Sequence, residues 1–221
     1  MEFFHVLNRG VDKRKVFLSN ADYARFIHDL WEFNDTAPAP HNIGRRISQT
    51  RMGDVGRHPL VKIHLFCLMP NHYHLLVSPL NDDMGNLSLF MKKLNGGYAK
   101  YFNEKYAPRS GALWQGKYKS VLIESDRHFL YIPYYIHFNA LDLYAPEWRK
   151  QCVANPKKTA EFLEKYRWSS HMDYMGEKNF PSVTDRKFFL EYFGGEKGYA
   201  RSVSKMLKDF SVDEISGATL E

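Results

Sequence analysis

Residues 60 to 78 read "LVKIHLFCLMPNHYHLLVS". Two apolar runs rich in Val, Ile, Leu, Phe and Tyr are interrupted once, at Pro70-Asn71. This pattern predicts two strands, "LVKIHLFCLM" and "HYHLLVS", joined by a tight turn and paired antiparallel. A hairpin of this kind commits the chain to a sheet. One detail does not fit simple packing: His72 and His74 interrupt the apolar run two residues apart. Side chains alternate faces along a strand, so both histidines project the same way, with Cα atoms about 6.5 to 7 Å apart. Two imidazoles at that separation can converge on one metal ion, while Tyr73 points to the opposite face and packs. The plainer alternative is a pair of half-exposed histidines on a solvent-facing strand, and His-x-His alone does not decide between them.

The flanking segments supply the rest of the sheet. "EFFHVLNRG" is strand-like and ends in a turn at Asn8-Arg9-Gly10, and "KVFLS" has the look of a second short strand. In "NADYARFIHDLWEF", Asn20 is an N-cap candidate, and Tyr23, Phe26, Ile27, Leu30 and Trp31 fall at helical spacing. Residues 34–59 are rich in Pro, Gly and Arg without periodicity, and read as a long basic loop carrying Arg45, Arg46, Arg51 and Arg57. After the hairpin, residues 84–106 place Leu87, Phe90, Met91, Leu94, Tyr98, Tyr101 and Phe102 on one broad helical face. A strand is expected over 117–124 and a helix over 126–141. The order strand, helix, strand, strand, helix, strand, helix is a split-βαβ plan, an α+β fold with an antiparallel sheet and helices on one face. From about residue 145 the chain turns polar and helical, with "YRWSSHMDYMG" as its aromatic anchor.

Composition narrows the function classes. The 221 residues are 44% hydrophobic and 25% charged, which suits a globular protein with a real core. No apolar run reaches the roughly 18 residues of a membrane span, and the N-terminus lacks a signal-peptide pattern. Cys67 and Cys152 are the only cysteines and have no metal-type spacing. Two isolated thiols imply a reducing compartment, with the cytoplasm as default. The net charge of +6 favours an anionic partner. Basic residues interleaved with aromatics suit single-stranded nucleic acid, whose unstacked bases lie on rings. A well-packed aromatic core in a basic protein explains the same composition.

A second constellation lies in "YIPYYIHFNALD", residues 131–142. Helical positions i and i+4 share a face, which aligns Tyr131, Tyr135 and Asn139. An Asn carbonyl is a hard oxygen ligand. Added to two His nitrogens it makes a mixed set suited to Mg²⁺ or Mn²⁺ acting on phosphate, with positions left for substrate and water. Taken alone, this helix is better explained as an aromatic face packed on the sheet.

Five pieces, "NRG" at 8–10, "MPNHYHLLV" at 69–77, "LWQGKYKS" at 113–120, "YIHFN" at 135–139 and "YRWSS" at 166–170, together resemble the single-tyrosine HUH transposases. They are most similar to the REP-associated tyrosine transposase branch, related to the single-strand transposases of small bacterial insertion sequences. The resemblance runs from about residue 3 to 175. It implies a ferredoxin-like HUH endonuclease core, with His72 and His74 as the metal-binding pair, Tyr135 as nucleophile and Asn139 as third ligand. It implies a catalytic domain over 1–145, with 34–59 as a long basic insertion, and a C-terminal helical extension over 146–221. The chain departs from the family pattern in three places. Ala140 follows Asn139 where Pro is common. Pro133 lies inside the expected catalytic helix and should kink it or mark its start. The Arg-rich link is longer than usual.

The implied activity is a metal-dependent single-stranded DNA endonuclease and strand transferase. Tyr135 attacks a phosphodiester, leaving a 5′-phosphotyrosine and a free 3′-OH, and the covalent link keeps the reaction reversible. A divalent ion, Mg or Mn, is the implied cofactor, and the implied partner is single-stranded DNA containing a hairpin. Asn8, Arg9, Arg14, Lys92, Lys93, Arg109, Lys117 and Lys119 are candidates for phosphate contacts, and Trp114 and Tyr118 for base stacking. Monomer and homodimer both remain open, as do two rival readings. A non-catalytic DNA-binding regulator on the same fold predicts no covalent product. A zinc hydrolase using water predicts turnover that survives Tyr135→Phe.

Overall fold

The computed structural model describes residues 1–38, 56–106 and 111–210. Strands β1 (Phe4–Arg9), β2 (Val61–Met69), β3 (His72–Pro79) and β4 (Lys119–Leu122) form one sheet in the order β2-β3-β1-β4. Every neighbouring pair is antiparallel. Helix α1 (Asn20–Glu32) joins β1 to β2, and α2 (Met84–Lys105) joins β3 to β4. This is the α+β, ferredoxin-like split-βαβ arrangement expected from the sequence. Helix α3 (Asp126–Phe138) follows β4. Four further helices complete the described chain: α4 (Pro156–Lys165), α5 (His171–Tyr174), α6 (Lys187–Phe193) and α7 (Glu196–Asp209).

Strand β3 is buried at all eight positions. Tyr73, Leu75 and Val77 enter one core with Phe26, Leu30, Phe90, Leu94 and Tyr98 from α1 and α2. Leu76 enters a second core with Ile132, Ile136 and Phe138 of α3 and with Tyr199, Val203 and Leu207 of α7. Helices therefore cover both faces of the sheet, where the sequence reading put them on one. The physical reason is that β2 sends apolar side chains both ways, Ile63, Phe66 and Leu68 to the first core and Leu65, Cys67 and Met69 to the second, so each face needs a cover. A bulge between Ile63 and Leu65 resets the alternation of β2. It leaves Cys67 opposite His74 and Met69 opposite His72.

Local signals explain the element ends. Helix α1 is capped by Ser19, one residue before the expected Asn20, in a capping box with Asp22. Burial pushes the Asp22 carboxyl up. Hydrogen bonds from Lys105, Tyr106, the Leu18 N–H and Tyr101 outweigh it and hold the group below the usual carboxylate range. Ser125 caps α3, and the helix runs through Pro133 instead of starting there. It ends at Phe138, three residues earlier than expected, and continues as a 3₁₀ turn over Asn139–Leu143. "KVFLS" forms no strand. Val16 and Phe17 are buried, and both of their N–H groups go to the Pro70 carbonyl.

Of the Arg-rich link, residues 39–55, with Arg45, Arg46 and Arg51, lie outside the described residues. Its ends are pinned: Asn34 accepts from the N–H groups of Leu60 and Val61, and the Arg57 guanidinium lies 3.9 Å from the Trp31 ring centroid. The "YRWSS" segment covers the outer edge of β2. Leu68 N–H donates to Trp168 O at 2.9 Å and Ser170 N–H to Phe66 O at 3.0 Å. An edge strand left bare would be a template for unwanted pairing. Among the described residues no helix is long and apolar enough to cross a membrane.

Candidate functional site

The site forms where β1 and β3 face α3. Directly opposed residues in an antiparallel pair share a face. Leu7 of β1 stands opposite His74 on one side and Lys119 on the other, and Arg9 stands opposite His72. His72, His74, Arg9 and Lys119 therefore occupy one face of the sheet. His5, two residues before Leu7, shares it. The two histidines of the motif do project together, with ring centroids 5.0 Å apart.

Each ring is held by its Nδ1. His72 Nδ1 lies 2.6 Å from Asn71 Oδ1. An amide oxygen only accepts, so His72 carries its proton on Nδ1 and keeps a lone pair on Nε2. The amide is oriented by its own donation to Lys13 O at 3.2 Å. His74 Nδ1 lies 2.8 Å from His5 Nε2, and those rings stack at 5.1 Å. Burial lowers the pKa of His5 and of His72 to about 4, with His128 adding to the effect on His5 and Arg9 to that on His72. It pushes His74 well below the ordinary histidine value, with His5, His72, Arg149 and Arg9 adding to the shift. All three rings are neutral at pH 7, the form that offers a lone pair to a metal.

Helix α3 brings Tyr135 against this cluster. Its ring meets His5 edge-on at 5.6 Å and His74 edge-on at 5.8 Å. The tyrosine and the histidine pair thus meet within one chain. Tyr131 lies one turn back, 6.3 Å from Tyr135 between ring centroids. Tyr134 is turned away into the second core, against Phe138 and Phe193. Asn139 is fully buried at the end of α3, and its Nδ2 donates to Tyr135 O at 2.7 Å. His137 takes no part: its ring is buried between Tyr199 Oη at 2.6 Å and Ser170 Oγ at 2.8 Å.

Sequence reasoning missed four members. His5 is one. The others come from the turn after α3. Arg149 donates through Nε and Nη2 to the two oxygens of Asp142, at 2.8 and 2.7 Å. Nη2 also reaches Asn139 Oδ1 at 2.8 Å. Its guanidinium lies 5.9 Å from the Tyr135 ring centroid. Trp148, 1% exposed, anchors the turn by donating Nε1 to Asp142 Oδ1 at 2.8 Å. Burial pushes the Arg149 guanidinium down, but Asp142 and Tyr135 outweigh it and keep it charged. For His5 a signal existed, since a split-βαβ sheet seats β1 beside β3. For Arg149 the sequence holds no periodic signal.

The expected DNA contacts fall into three groups. Arg9 and Lys119 are exposed on the face that carries the histidines. Arg14, Lys92 and Lys117 are exposed elsewhere, and Arg14 pairs with Asp12 at 3.2 Å. The others are engaged internally. Asn8 is buried and donates to Gly116 O at 3.3 Å. Lys93 holds the carbonyls of Asp35 and Ala37. Trp114 is in the first core, with Nε1 on Asn95 O at 3.0 Å, and Tyr118 packs against that core. Arg109 lies outside the described residues.

Among the described residues no group of three or more His, Cys, Asp and Glu side chains stands in metal-holding geometry. The set at hand is instead two imidazoles and one amide oxygen. Residues 45–139, which contain His72, His74, Tyr135 and Asn139, match the family model described as "Transposase IS200 like". Comparison with curated proteins gives no match. A solved structure described as a REP-associated tyrosine transposase bound to a REP hairpin is similar over 83% of this chain and 87% of that one, at 15% identity and a TM-score of 0.47.

Proposed function

We propose that the chain, whose residues 45–139 match the model of the IS200-like transposases, is a metal-dependent endonuclease and strand transferase of single-stranded DNA, with Tyr135 as nucleophile. The observation that carries this reading is the edge-on contact of Tyr135 with the His74 ring at 5.8 Å, with Asn139 one helical turn on. Residues 1–145 are the catalytic domain in this reading, and residues 146–221 its C-terminal extension. The proposed setting is the cytoplasm, and the proposed substrate a hairpin with single-stranded flanks.

The donor set fits a divalent ion such as Mg²⁺ or Mn²⁺. His72 and His74 would offer Nε2, because their Nδ1 atoms are engaged at 2.6 and 2.8 Å. Asn139 Oδ1 has two lone pairs, and Arg149 uses one of them. A bound ion would neutralise charge on a non-bridging phosphate oxygen and orient the phosphate. The remaining work belongs to the chain. Arg9 and Lys119 hold neighbouring phosphates on the histidine face. The Tyr135 hydroxyl attacks phosphorus, an O–P bond forms, and the bond from phosphorus to the 3′-oxygen breaks. The phenol proton leaves through water and ends on the departing 3′-oxygen. Because the phosphate stays esterified to the tyrosine, another 3′-OH can reverse the step and rejoin strands.

The test is a covalent-adduct assay with labelled hairpin DNA and Mn²⁺ or Mg²⁺, resolved on a denaturing gel. A labelled protein band that is lost in Tyr135→Phe, in His72→Ala/His74→Ala and with EDTA is the expected result. Cutting that persists in Tyr135→Phe without an adduct would mean water is the nucleophile. Hairpin binding with no cutting on the DNA flanking the coding sequence would favour a regulator.

A further inference from the structure

We propose that Arg149 is a further catalytic residue, whose guanidinium grips the phosphate that Tyr135 attacks. The proposal rests on the reading of Tyr135 as nucleophile and adds the group that meets the phosphate from the protein side. Arg149 lies outside the segment that matches the family model, in a 3₁₀ turn over Pro146–Lys150.

Three observations support it. First, the guanidinium is fixed in direction. Its Nε and one N–H of Nη2 clasp the Asp142 carboxylate, and the second N–H of Nη2 goes to Asn139 Oδ1 at 2.8 Å. Asp142 is itself held by Trp148 Nε1 at 2.8 Å. A fork held on one edge presents its other edge in a set direction. The bonds to Asp142 and Asn139 use Nε and Nη2, which leaves the Nη1 end of the fork for an oxygen of an incoming phosphate. Second, the side chain is 41% exposed while Asn139 beneath it is fully buried, so Arg149 forms the rim of the site and not its floor. Third, the guanidinium lies 5.9 Å from the Tyr135 ring centroid, on the residue that would carry out the attack. A phosphate attacked by the Tyr135 hydroxyl at the histidine face would lie beside this guanidinium.

The chemistry follows from charge. As the tyrosine oxygen bonds to phosphorus, negative charge grows on the non-bridging oxygens. A preorganised cation near those oxygens stabilises the transition state more than the ground state. Arg149 accepts no proton, since a guanidinium stays charged. Its contribution is the same in cutting and rejoining, because both pass through one transition state.

The experiment separates this role from the tyrosine's. In a Tyr135→Phe background, binding of a hairpin from the DNA flanking the chain's own coding sequence is followed by anisotropy across a salt series. Replacing Arg149 by Met should flatten the log–log salt slope by about 0.7, the loss of one phosphate contact on a single strand. Arg149→Lys should keep the slope. With Tyr135 intact, Arg149→Met should slow single-turnover adduct formation by about 100-fold, with a smaller loss for Arg149→Lys. Melting temperatures are measured on each variant, and if the Met variant does not fold, Arg149→Lys carries the kinetic test. An unchanged salt slope and adduct rate in Arg149→Met would overturn the proposal. An adduct that survives Tyr135→Phe overturns the nucleophile while leaving the salt-slope result to judge Arg149. Absence of binding by Tyr135→Phe itself overturns both.

Discussion

His5 and His74, sixty-nine residues apart in the chain, share a hydrogen bond of 2.8 Å between Nε2 and Nδ1 across β1 and β3. A metal-bound imidazole donates its other N–H to a neighbour, and this sets the tautomer. For His74 to present Nε2, its Nδ1–H must donate to His5, which then accepts. His5→Ala should weaken Mn²⁺ binding by about 10- to 100-fold, read by calorimetry without any DNA present. His5→Gln, whose amide oxygen also accepts, should recover part of the loss. Equal Mn²⁺ affinity in wild type and His5→Ala would show that His74 needs no partner.

Stability should fall steeply in mild acid. Burial lowers the pKa of both His64 and His171 to about 4, while an unfolded histidine titrates near 6.5. Between those values the unfolded chain binds more protons than the folded one, so stability rises with pH through the window and is lost as pH falls from about 6.5 toward 4. Each such ring contributes about 1.4 kcal/mol per pH unit inside the window. Urea midpoints at pH 7.5, 6 and 5 should decline accordingly. His64 Nε2 lies 2.8 Å from Ser78 Oγ, and His64→Gln, which keeps a polar partner for Ser78, should show a shallower decline than wild type. A flat profile from 7.5 to 5 would refute the burial account.

Two adjacent glycines of α2 should respond in opposite directions. A Cβ on Gly96 would meet nothing within 4 Å, whereas one on Gly97 would stand 2.3 Å from Phe33 Cε2. Phe33 is 6% exposed and packs where α1 meets α2, so the ring has little room to yield. Gly96→Ala should stabilise by about 1 kcal/mol through helix propensity. Gly97→Ala should destabilise by about 1–3 kcal/mol through overpacking. Thermal melts of the two variants decide it, and a shared sign would mean that the α1–α2 contact is softer than its geometry.

What was legible in the sequence was local. The alternation that puts His72 and His74 on one face, and the single turn between Tyr135 and Asn139, are fixed by strand and helix geometry over a few residues. The hairpin and the caps are local too. His5 joins the site only through the pairing of β1 with β3, and Arg149 only through a 3₁₀ turn that Trp148 and Asp142 fold back onto α3. Neither contact leaves a periodic trace. Aromatic residues beside lysines suggested stacking surfaces, yet Trp114 is 7% exposed within the first core. Composition reports how many rings there are, while burial depends on which loop closes over them. The second layer of helices was hidden for a related reason. β2 feeds Phe66 and Leu68 to one core and Leu65, Cys67 and Met69 to the other, but a hairpin alone does not reveal what will cover its other side.

His137 of α3 and His171 of α5 both bond the Tyr199 hydroxyl, at 2.6 and 2.8 Å, and His137 also meets Ser170 beside the edge of β2. The helix carrying Tyr135 is thereby moored at its back to α7 and to the sheet. Rejoining requires a different 3′ end to arrive where the first one left. In the reaction proposed above, with the helix of Tyr135 held on its inner side, that exchange would fall to the nucleic acid, one strand replacing another over a tyrosine that keeps its place.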